Sequence, residues 1–230
     1  MKLAGLQKLT LLDYPGKVAC TVFTAGCNYR CPFCHNGDLV LPELMPPALA
    51  EADFFAFLQK RRGVLDGVCV SGGEPLIHGD IPAFLERIKA LGYAVKLDTN
   101  GAFPDKLRAL VEAGLVDYVA MDIKNAPDRY AQTVGVDRLD LAPVRESVAY
   151  LLSGAVDYEF RTTVVRQLHS AEDLENIGKW LSGAKRYFLQ AFVDSEYVLK
   201  GGLTSYSKTE LEALRERVCA LVPSVQLRGV

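Results

Sequence analysis

The chain has 230 residues, half of them hydrophobic, and a formal charge of −2 at pH 7. This length fits one large domain or two small ones, and the nearly balanced charge argues against a nucleic-acid surface. The sequence shows neither a signal peptide nor an apolar run of the ~20 residues that a membrane helix needs, so it predicts a cytoplasmic protein that binds neither nucleic acid nor membrane.

Short β-rich runs alternate regularly with helical patterns along the chain. Residues 1–16 precede the first of these runs and are expected to form a hairpin that covers a sheet edge. The predicted strands are Val18–Thr24, Gly67–Ser71, Ala94–Thr99, Val116–Asp122, Tyr158–Val165 and Arg186–Phe192. The predicted helices are Pro47–Arg61, Ile81–Leu91, Asp105–Ala113, Ala142–Leu152, Ala171–Leu181 and Lys208–Leu221.

This alternation predicts right-handed crossovers and a parallel sheet, and therefore an α/β fold. The strand–helix units are too few for the eight that close a full barrel, so we expect a partial, open (β/α)6 barrel. We expect a single domain over residues 1–230, with an extension at 1–16, the barrel at 17–200, and a C-terminal helix and tail at 201–230.

Polar residues collect where the predicted strands end. Each group also has a structural interpretation, as a turn or as an ion pair between Asp122 and Lys124. Because the carboxyl ends of parallel strands form the active face of α/β folds, their shared position instead predicts a functional site. The groups are Ser71–Pro75 following strand two, Asp98–Gly101 closing strand three, Met121–Lys124 closing strand four, Arg161 on strand five and Gln190 near the end of strand six.

Three of the six cysteines, Cys27, Cys31 and Cys34, cluster in the stretch CNYRCPFCHN. The others, Cys20, Cys69 and Cys219, lie in apolar patterns typical of inert core cysteines. The cluster contains a C-x-x-C redox pattern and a C-x-x-C-H haem-attachment pattern, and a structural zinc site is a third alternative. The redox pattern leaves Cys27 without a role, haem attachment of this kind requires export, and zinc requires a fourth ligand.

The remaining interpretation is a 4Fe–4S cluster held by three thiolates. Electron-carrier clusters normally have four cysteine ligands with different spacings. Three ligands leave one iron open to a substrate or cofactor, which makes the cluster reactive.

The spacing Cys27-x-x-x-Cys31-x-x-Cys34, together with the stretch SGGEP at residues 71–75, resembles the radical S-adenosylmethionine (SAM) superfamily. The longer opening LTLLDYPGKVACTVFTAGCNYRCPFCHN is similar to the activating proteins of anaerobic ribonucleoside-triphosphate reductases. The stretches LDTNG and MDIK are similar to the glycyl-radical-enzyme activases, including pyruvate formate-lyase activase. The resemblance implies a partial barrel of the radical SAM type and an open iron that binds SAM.

The resemblance also implies roles for individual residues. A hard cation suits the oxygen ligands at two neighbouring strand ends, and an arginine suits a planar carboxylate. Cys27, Cys31 and Cys34 would hold the cluster; Phe33 and the His35 backbone would border the adenine; Gly72, Gly73 and Glu74 would receive the methionine ammonium; Asp98, Thr99, Asp122 and the Ala120 carbonyl would bind a monovalent cation beside the SAM carboxylate; Lys124 and Arg161 would face polar groups of SAM; and Gln190 replaces an adenine-contacting histidine.

The resemblance implies an enzyme that takes a glycine Cα hydrogen from a glycyl-radical enzyme, with anaerobic ribonucleotide reductase as the expected partner and flavodoxin or ferredoxin as electron donor. Residues 36–65 contain no cysteine, so a single cluster is expected. The alternatives are a radical SAM enzyme acting on a small molecule such as a deazapurine precursor, an electron carrier, and a zinc-stabilised binding module. His78 is expected at the surface, and His169 is expected to cap a helix or to face solvent.

Overall fold

The computed structural model describes all residues from 1 to 230. The strands are β1 Leu3–Thr10, β2 Ala19–Thr24, β3 Gly67–Gly72, β4 Ala94–Thr99, β5 Tyr118–Asp122, β6 Asp157–Val164, β7 Tyr187–Ala191 and β8 Val225–Arg228. The α-helices are α1 Gly37–Val40, α2 Glu51–Lys60, α3 Ile81–Ala90, α4 Pro104–Glu112, α5 Tyr130–Val134, α6 Ala142–Leu152, α7 Ala171–Trp180 and α8 Lys208–Cys219. Two short 3-10 helices cover Pro42–Leu44 and Pro75–Ile77.

The strands follow one another in the sheet in chain order. β1 pairs with β2 in the antiparallel sense at the edge of the sheet, so residues 1–16 supply one arm of a hairpin whose other arm is β2 and do not form a hairpin of their own. β2, β3 and β4 are parallel, and so are β6, β7 and β8. The α/β class with a parallel sheet is therefore confirmed, and the strand order is consistent with a partial barrel.

Two differences from the predicted elements have local causes. Helix α2 begins at Glu51 rather than at Pro47, because the residues before it are extended: Ala50, at the N-cap, has φ −65° and ψ 133°. Strand β8 was not predicted because four residues carry too little periodicity. It is held by its pairing with β7 and by the two hydrogen bonds, 2.8 and 2.9 Å, that Arg228 donates to the buried carboxylate of Glu159.

The contacts of the chain group into two compact units. The first unit comprises Met1–Asn28, Asp38–Thr99 and Phe103–Ala120, and the second comprises Tyr29–Gly37, Asn100–Ala102 and Met121–Val230. The domain boundaries predicted from the sequence stay a prediction.

Each unit has its own apolar core. In the first, Phe54 stacks on Phe84 with ring centroids 5.5 Å apart, among the buried side chains of α2 and α3. In the second, the largest buried side chains are three tyrosines and Phe160, and capping boxes at Ser170 and Ser207 begin α7 and α8. None of the helices has the length and apolar character needed to cross a membrane.

Candidate active site

In the first unit, the glycine-rich stretch after β3 packs backbone to backbone against the end of β2. The Gly73 N–H donates to the Thr24 carbonyl at 2.9 Å, and the Glu74 N–H donates to the Gly26 carbonyl at 2.9 Å. A Cβ on Gly73 would lie 1.9 Å from the Gly26 oxygen, and Gly72 has φ +119°, which favours glycine. The residue before Cys27 is therefore fixed by a contact that only glycine permits.

Glu74 lies inside this loop. Its side chain is fully buried, and its Oε1 accepts hydrogen bonds from the Leu76 N–H at 3.0 Å and from the Thr99 hydroxyl at 2.9 Å. The carboxylate thus ties the loop after β3 to the end of β4. Its predicted contact with the methionine ammonium stays a prediction.

Asp98, the predicted cation ligand on β4, accepts hydrogen bonds from neighbouring side chains. Its carboxylate forms an ion pair with Lys96 and accepts a hydrogen bond from the Ser71 hydroxyl at 3.0 Å. The Cys69 thiol lies 3.7 Å from both Asp98 Oδ1 and Lys96 Nζ. Cys69 is buried, as predicted for a core cysteine, but it belongs to this polar group rather than to an apolar one.

In the second unit, the segment that carries Cys31 and Cys34 is fixed mainly through its backbone. The Cys34 N–H donates to the Cys31 carbonyl at 3.0 Å, which makes a tight turn between the two cysteines. The Arg30 N–H donates to the carbonyl at the end of α5, at 2.9 Å. The loop after β7 adds two further bonds, from the Lys200 N–H to the Pro32 carbonyl at 2.9 Å and from the Gly37 N–H to the Tyr197 carbonyl at 3.2 Å.

Asp122, at the end of β5, is paired with two basic side chains. Arg161 Nε lies 2.9 Å from one carboxylate oxygen, and Lys124 Nζ lies 3.0 Å from the other. Burial alone would raise the pKa of Asp122, but Arg161 and Lys124 outweigh it and lower that pKa to about 2. The ion pair that was the structural interpretation of this stretch is present, and Arg161 extends it.

Lys124 also acts on the cysteine segment. Its ammonium lies 5.9 Å from the centre of the Phe33 ring. Burial would lower the pKa of Lys124, but the negative charges of Asp122, Cys31 and Cys34 outweigh burial and raise it. Lys124 is therefore a basic side chain that interacts electrostatically with both cysteines as well as with Asp122.

The prediction for His169 was wrong. The side chain is fully buried, and helix α7 is capped by Ser170 instead. His169 Nε2 lies 2.8 Å from the Lys124 carbonyl, and Nδ1 accepts from the Val165 N–H at 3.1 Å. The ring contacts Phe33 edge-on, with centroids 6.1 Å apart. His169 therefore fixes both Lys124 and the Phe33 side chain between the two cysteines.

The other predicted residues are placed as follows. The His35 ring lies 5.4 Å from the Phe192 ring, and burial together with Lys124 lowers the pKa of His35. Gln190 lies on β7, and Ala120 is buried on β5.

His78 is half-buried rather than at the surface, because its Nε2 lies 3.0 Å from the Ala25 carbonyl. Cys20 is fully buried, as predicted, whereas Cys219 is partly exposed.

The sequence profile of the radical SAM superfamily matches residues 21–181. The chain belongs to the radical SAM superfamily. This match covers both the three-cysteine segment and the glycine-rich stretch after β3, the two motifs from which the resemblance was predicted. The family implies a 4Fe–4S cluster and SAM as cofactors.

Among curated relatives, the "Putative glycyl-radical enzyme activating enzyme MJ1227" of Methanocaldococcus jannaschii is 32% identical over 82% of this chain and 79% of its own length. A 7-carboxy-7-deazaguanine synthase of Koribacter versatilis is 29% identical over 70% of this chain and 67% of its own length. The crystal structure of Streptococcus suis SuiB bound to the precursor peptide SuiA matches with a TM-score of 0.71 and 15% identity. That match covers 90% of this chain and 47% of SuiB, so the chain spans about half the length of SuiB and shares its fold.

The protein is thus a radical SAM enzyme, homologous to glycyl-radical enzyme activating enzymes. Its residues fit the cofactors: three thiols stand at the family spacing, Lys124 interacts electrostatically with two of them, and the glycine-rich stretch packs tightly on the residues that precede Cys27. No three His, Cys, Asp or Glu side chains converge on a position for one metal ion. A cubane cluster binds each thiolate to a different iron, so its ligands need not converge in that way.

Two residues of this region were missed by the sequence analysis. Lys96 carried a signal, since it is the one basic residue within the predicted strand AVKLDT. His169 carried none, because a single histidine before a helix is most often capping or solvated. Whether the groups in the two units form one site stays a prediction.

Proposed function

We propose that this enzyme installs a glycyl radical on a large partner enzyme by taking a hydrogen atom from a glycine Cα. The observation that carries the proposal is the relationship to a glycyl-radical enzyme activating enzyme, which extends over about four fifths of both chains.

In this proposal, Cys27, Cys31 and Cys34 hold the 4Fe–4S cluster. When bound and reduced, the cluster would supply the electron for the cleavage of a carbon–sulfur bond of SAM. Lys124 interacts electrostatically with Cys31 and Cys34. Its position is maintained by Asp122 through the side chain and by His169 through the backbone.

The remaining predicted residues would bind SAM. Gly72 and Gly73 let the stretch after β3 pack directly on the backbone of Thr24 and Gly26, which fixes the peptide groups that would face the methionine ammonium. Arg161 is oriented by Asp122 and would face the planar carboxylate of SAM, whose shape suits a guanidinium. Phe33, held between Lys124 and His169, supplies an apolar ring suited to an adenine edge.

Anaerobic ribonucleoside-triphosphate reductase is the partner we favour, on the strength of the opening LTLLDYPGKVACTVF and the absence of cysteine from residues 36–65. Flavodoxin or ferredoxin would supply the electron. SuiB, which shares the fold of this chain, is bound to a precursor peptide in its crystal structure, and this supports a polypeptide as the class of substrate.

The test is to mix the reduced, cluster-loaded enzyme with SAM and the purified reductase under anaerobic conditions and to record the electron paramagnetic resonance spectrum. We expect a persistent doublet centred on a glycine of the reductase. Replacing that glycine with alanine should remove the doublet while leaving the complex intact in a pull-down. Absence of a doublet with every glycyl-radical enzyme of the same organism would contradict the proposal.

The second candidate is a radical SAM enzyme acting on a small deazapurine precursor, favoured by the relationship to a 7-carboxy-7-deazaguanine synthase. It predicts many turnovers of a nucleotide-like substrate without a partner protein. Product formation under such conditions, measured by mass spectrometry, would replace the first proposal with this one.

A further inference from the structure

Lys96 is a lysine without solvent exposure. It lies near the middle of β4, and its side chain has 0% relative exposure. Lysines are almost never buried to this extent unless they are paired. The glycine-radical chemistry proposed above assigns Lys96 no role, and no predicted site residue required a buried ammonium in this strand.

The strand register explains which groups surround the ammonium. Lys96 and Asp98 are two residues apart and therefore lie on the same face of β4. Cys69 on β3 is the register partner of Lys96, and Ser71 lies two residues further along the same face of β3. The four side chains form one polar group within the first unit, and we call it the Lys96 cluster.

Within the Lys96 cluster, both oxygens of Asp98 accept hydrogen bonds. The Lys96 ammonium and the Cys69 thiol approach Oδ1, and the Ser71 hydroxyl donates to Oδ2 at 3.0 Å. A charged donor on the same side of the carboxylate repels any further cation that comes to these oxygens. Like charges a few ångströms apart in a poorly hydrated interior repel strongly.

The second carboxylate among the predicted cation ligands is also paired with basic side chains. Asp122 is paired with Arg161 at 2.9 Å and with Lys124 at 3.0 Å, one for each oxygen. Each of the two carboxylates thus has its negative charge balanced by a side chain of its own unit. This donor set does not fit an additional monovalent cation.

We propose that the Lys96 ammonium is the resident counter-ion of Asp98 and takes the place of the monovalent cation that the family resemblance predicts. Lys96 is then a positioning residue: it holds the Asp98 carboxylate, and through it the end of β4, without touching the substrate. The inference rests on the proposed function only in that Asp98 belongs to the SAM-binding region. With the Lys96 ammonium in this position, SAM binding should not depend on which monovalent ion is present.

The experiment measures SAM binding to the cluster-loaded enzyme without any partner protein, by calorimetry in sodium, potassium or choline chloride of equal ionic strength. For the wild type, we expect dissociation constants that agree within twofold across the three salts. A wild-type affinity that is more than fivefold tighter in potassium or sodium than in choline would overturn the proposal. Because no partner is present, failure of the glycyl-radical proposal leaves this result unaffected.

Lys96→Met removes the ammonium but keeps most of the side-chain volume. We expect its SAM affinity in choline to fall at least tenfold and to recover at least fivefold when potassium or ammonium replaces choline. Lys96→Arg, which retains a positive charge, should remain indifferent to the salt. A folded Lys96→Met enzyme that shows no salt effect would contradict the proposal.

Lys89→Met is the matched control, because Lys89 forms a 2.8 Å ion pair with Asp117 elsewhere in the first unit. It should leave the salt response unchanged. If Lys96→Met does not fold, titration of the wild type with thallium(I), followed by thallium-205 resonance, decides the question. We expect no saturable binding, and one saturable thallium site lost in Asp98→Asn would overturn the proposal.

Discussion

The two regions that carry the predicted site are built in different ways. In the first unit, the stretch before Cys27 and the stretch after β3 are joined by backbone hydrogen bonds, and their approach requires glycine at Gly72 and Gly73. In the second unit, the segment of Cys31 and Cys34 is positioned by backbone bonds and also by side chains that contact Phe33.

This difference predicts how each region responds to mutation. A glycine contact permits no side chain, so a single added methyl group forces the backbones apart. A region held by charged and aromatic side chains loses one contribution at a time, and the rest of the network limits the damage. The first region should therefore respond to small changes as all or none, and the second by degrees.

The largest effect is expected from replacing the predicted cluster ligands. Although the two regions are built differently, each supplies at least one cysteine to the same predicted cluster. Cys27→Ala in the first unit, and Cys31→Ala or Cys34→Ala in the second, should each reduce SAM cleavage to the background without enzyme. Each variant removes one of three cluster ligands. Reductive cleavage is measured as 5′-deoxyadenosine formed by the dithionite-reduced protein.

Cys20→Ala is the matched control, because Cys20 is fully buried on β2 and burial raises its pKa to about 12, so it is an inert thiol. The control should cleave SAM at the wild-type rate with roughly 1 kcal/mol lost in stability. Wild-type cleavage by any of the three loop variants would refute the cluster assignment.

The second prediction tests the first region, in which the stretch before Cys27 packs on Gly73. Gly73→Ala places a Cβ 1.9 Å from the Gly26 carbonyl oxygen, and both groups are backbone. The free energy of unfolding should fall by about 3 kcal/mol or more, as in severe overpacking. Urea unfolding measures the stability, and SAM affinity should fall with it because the stretch that precedes Cys27 is displaced.

Gly79→Ala provides the comparison, since nothing lies within 4 Å of a Cβ at that position and its backbone is not in the left-handed region. This variant should change stability by less than about 1 kcal/mol. If Gly73→Ala proves equally mild, the backbone contact is not what fixes the first region.

The sequence predicted the first region better than the second. The first is fixed by local patterns, whereas the second depends on side chains that are far apart in the sequence. The glycine-rich stretch and the cysteine spacing are local patterns, and residues near strand ends could be assigned because strand and helix alternate so regularly. His169 was misjudged because its partners, Lys124 and Phe33, are far from it in the sequence, and a lone histidine has no periodicity. Lys96 was passed over although a charge inside a buried strand predicts a buried partner.

The third prediction tests the second region, in which side chains position the segment of Cys31 and Cys34. His169→Ala leaves the Lys124 carbonyl and the Val165 N–H without the ring nitrogens that now bind them. Loss of partners for buried polar groups should lower the free energy of unfolding by about 2 kcal/mol. SAM should still bind, with weaker affinity, because Asp122 continues to hold the Lys124 side chain.

His169→Gln distinguishes positioning from packing, because its amide can replace one of the two hydrogen bonds. It should recover part of the SAM affinity that His169→Ala loses. Equal affinities for the two variants would mean that the hydrogen bonds of the ring are unimportant for the cysteine segment.

The smallest expected effect is a dependence of stability on pH, and it again depends on His169. Burial lowers the pKa of His169 below its usual value of 6.5. The unfolded chain therefore takes up a proton near pH 6.5 while the folded protein does not, so stability is complete above pH 6.5 and is lost as the pH falls. The loss is at most about 1.4 kcal/mol per pH unit for one histidine.

His35 and His78 contribute in the same direction, because burial also lowers the pKa of each. Both are less buried than His169, so His169→Gln should reduce the slope of stability between pH 7.5 and 5.5 more than His35→Gln or His78→Gln does. Urea unfolding at several pH values measures the slope. The prediction fails if the wild-type stability is flat over this range or if His169→Gln leaves the slope unchanged. Either result would mean that the buried ring accepts a proton in the folded protein, so that the second region tolerates a charge at its centre.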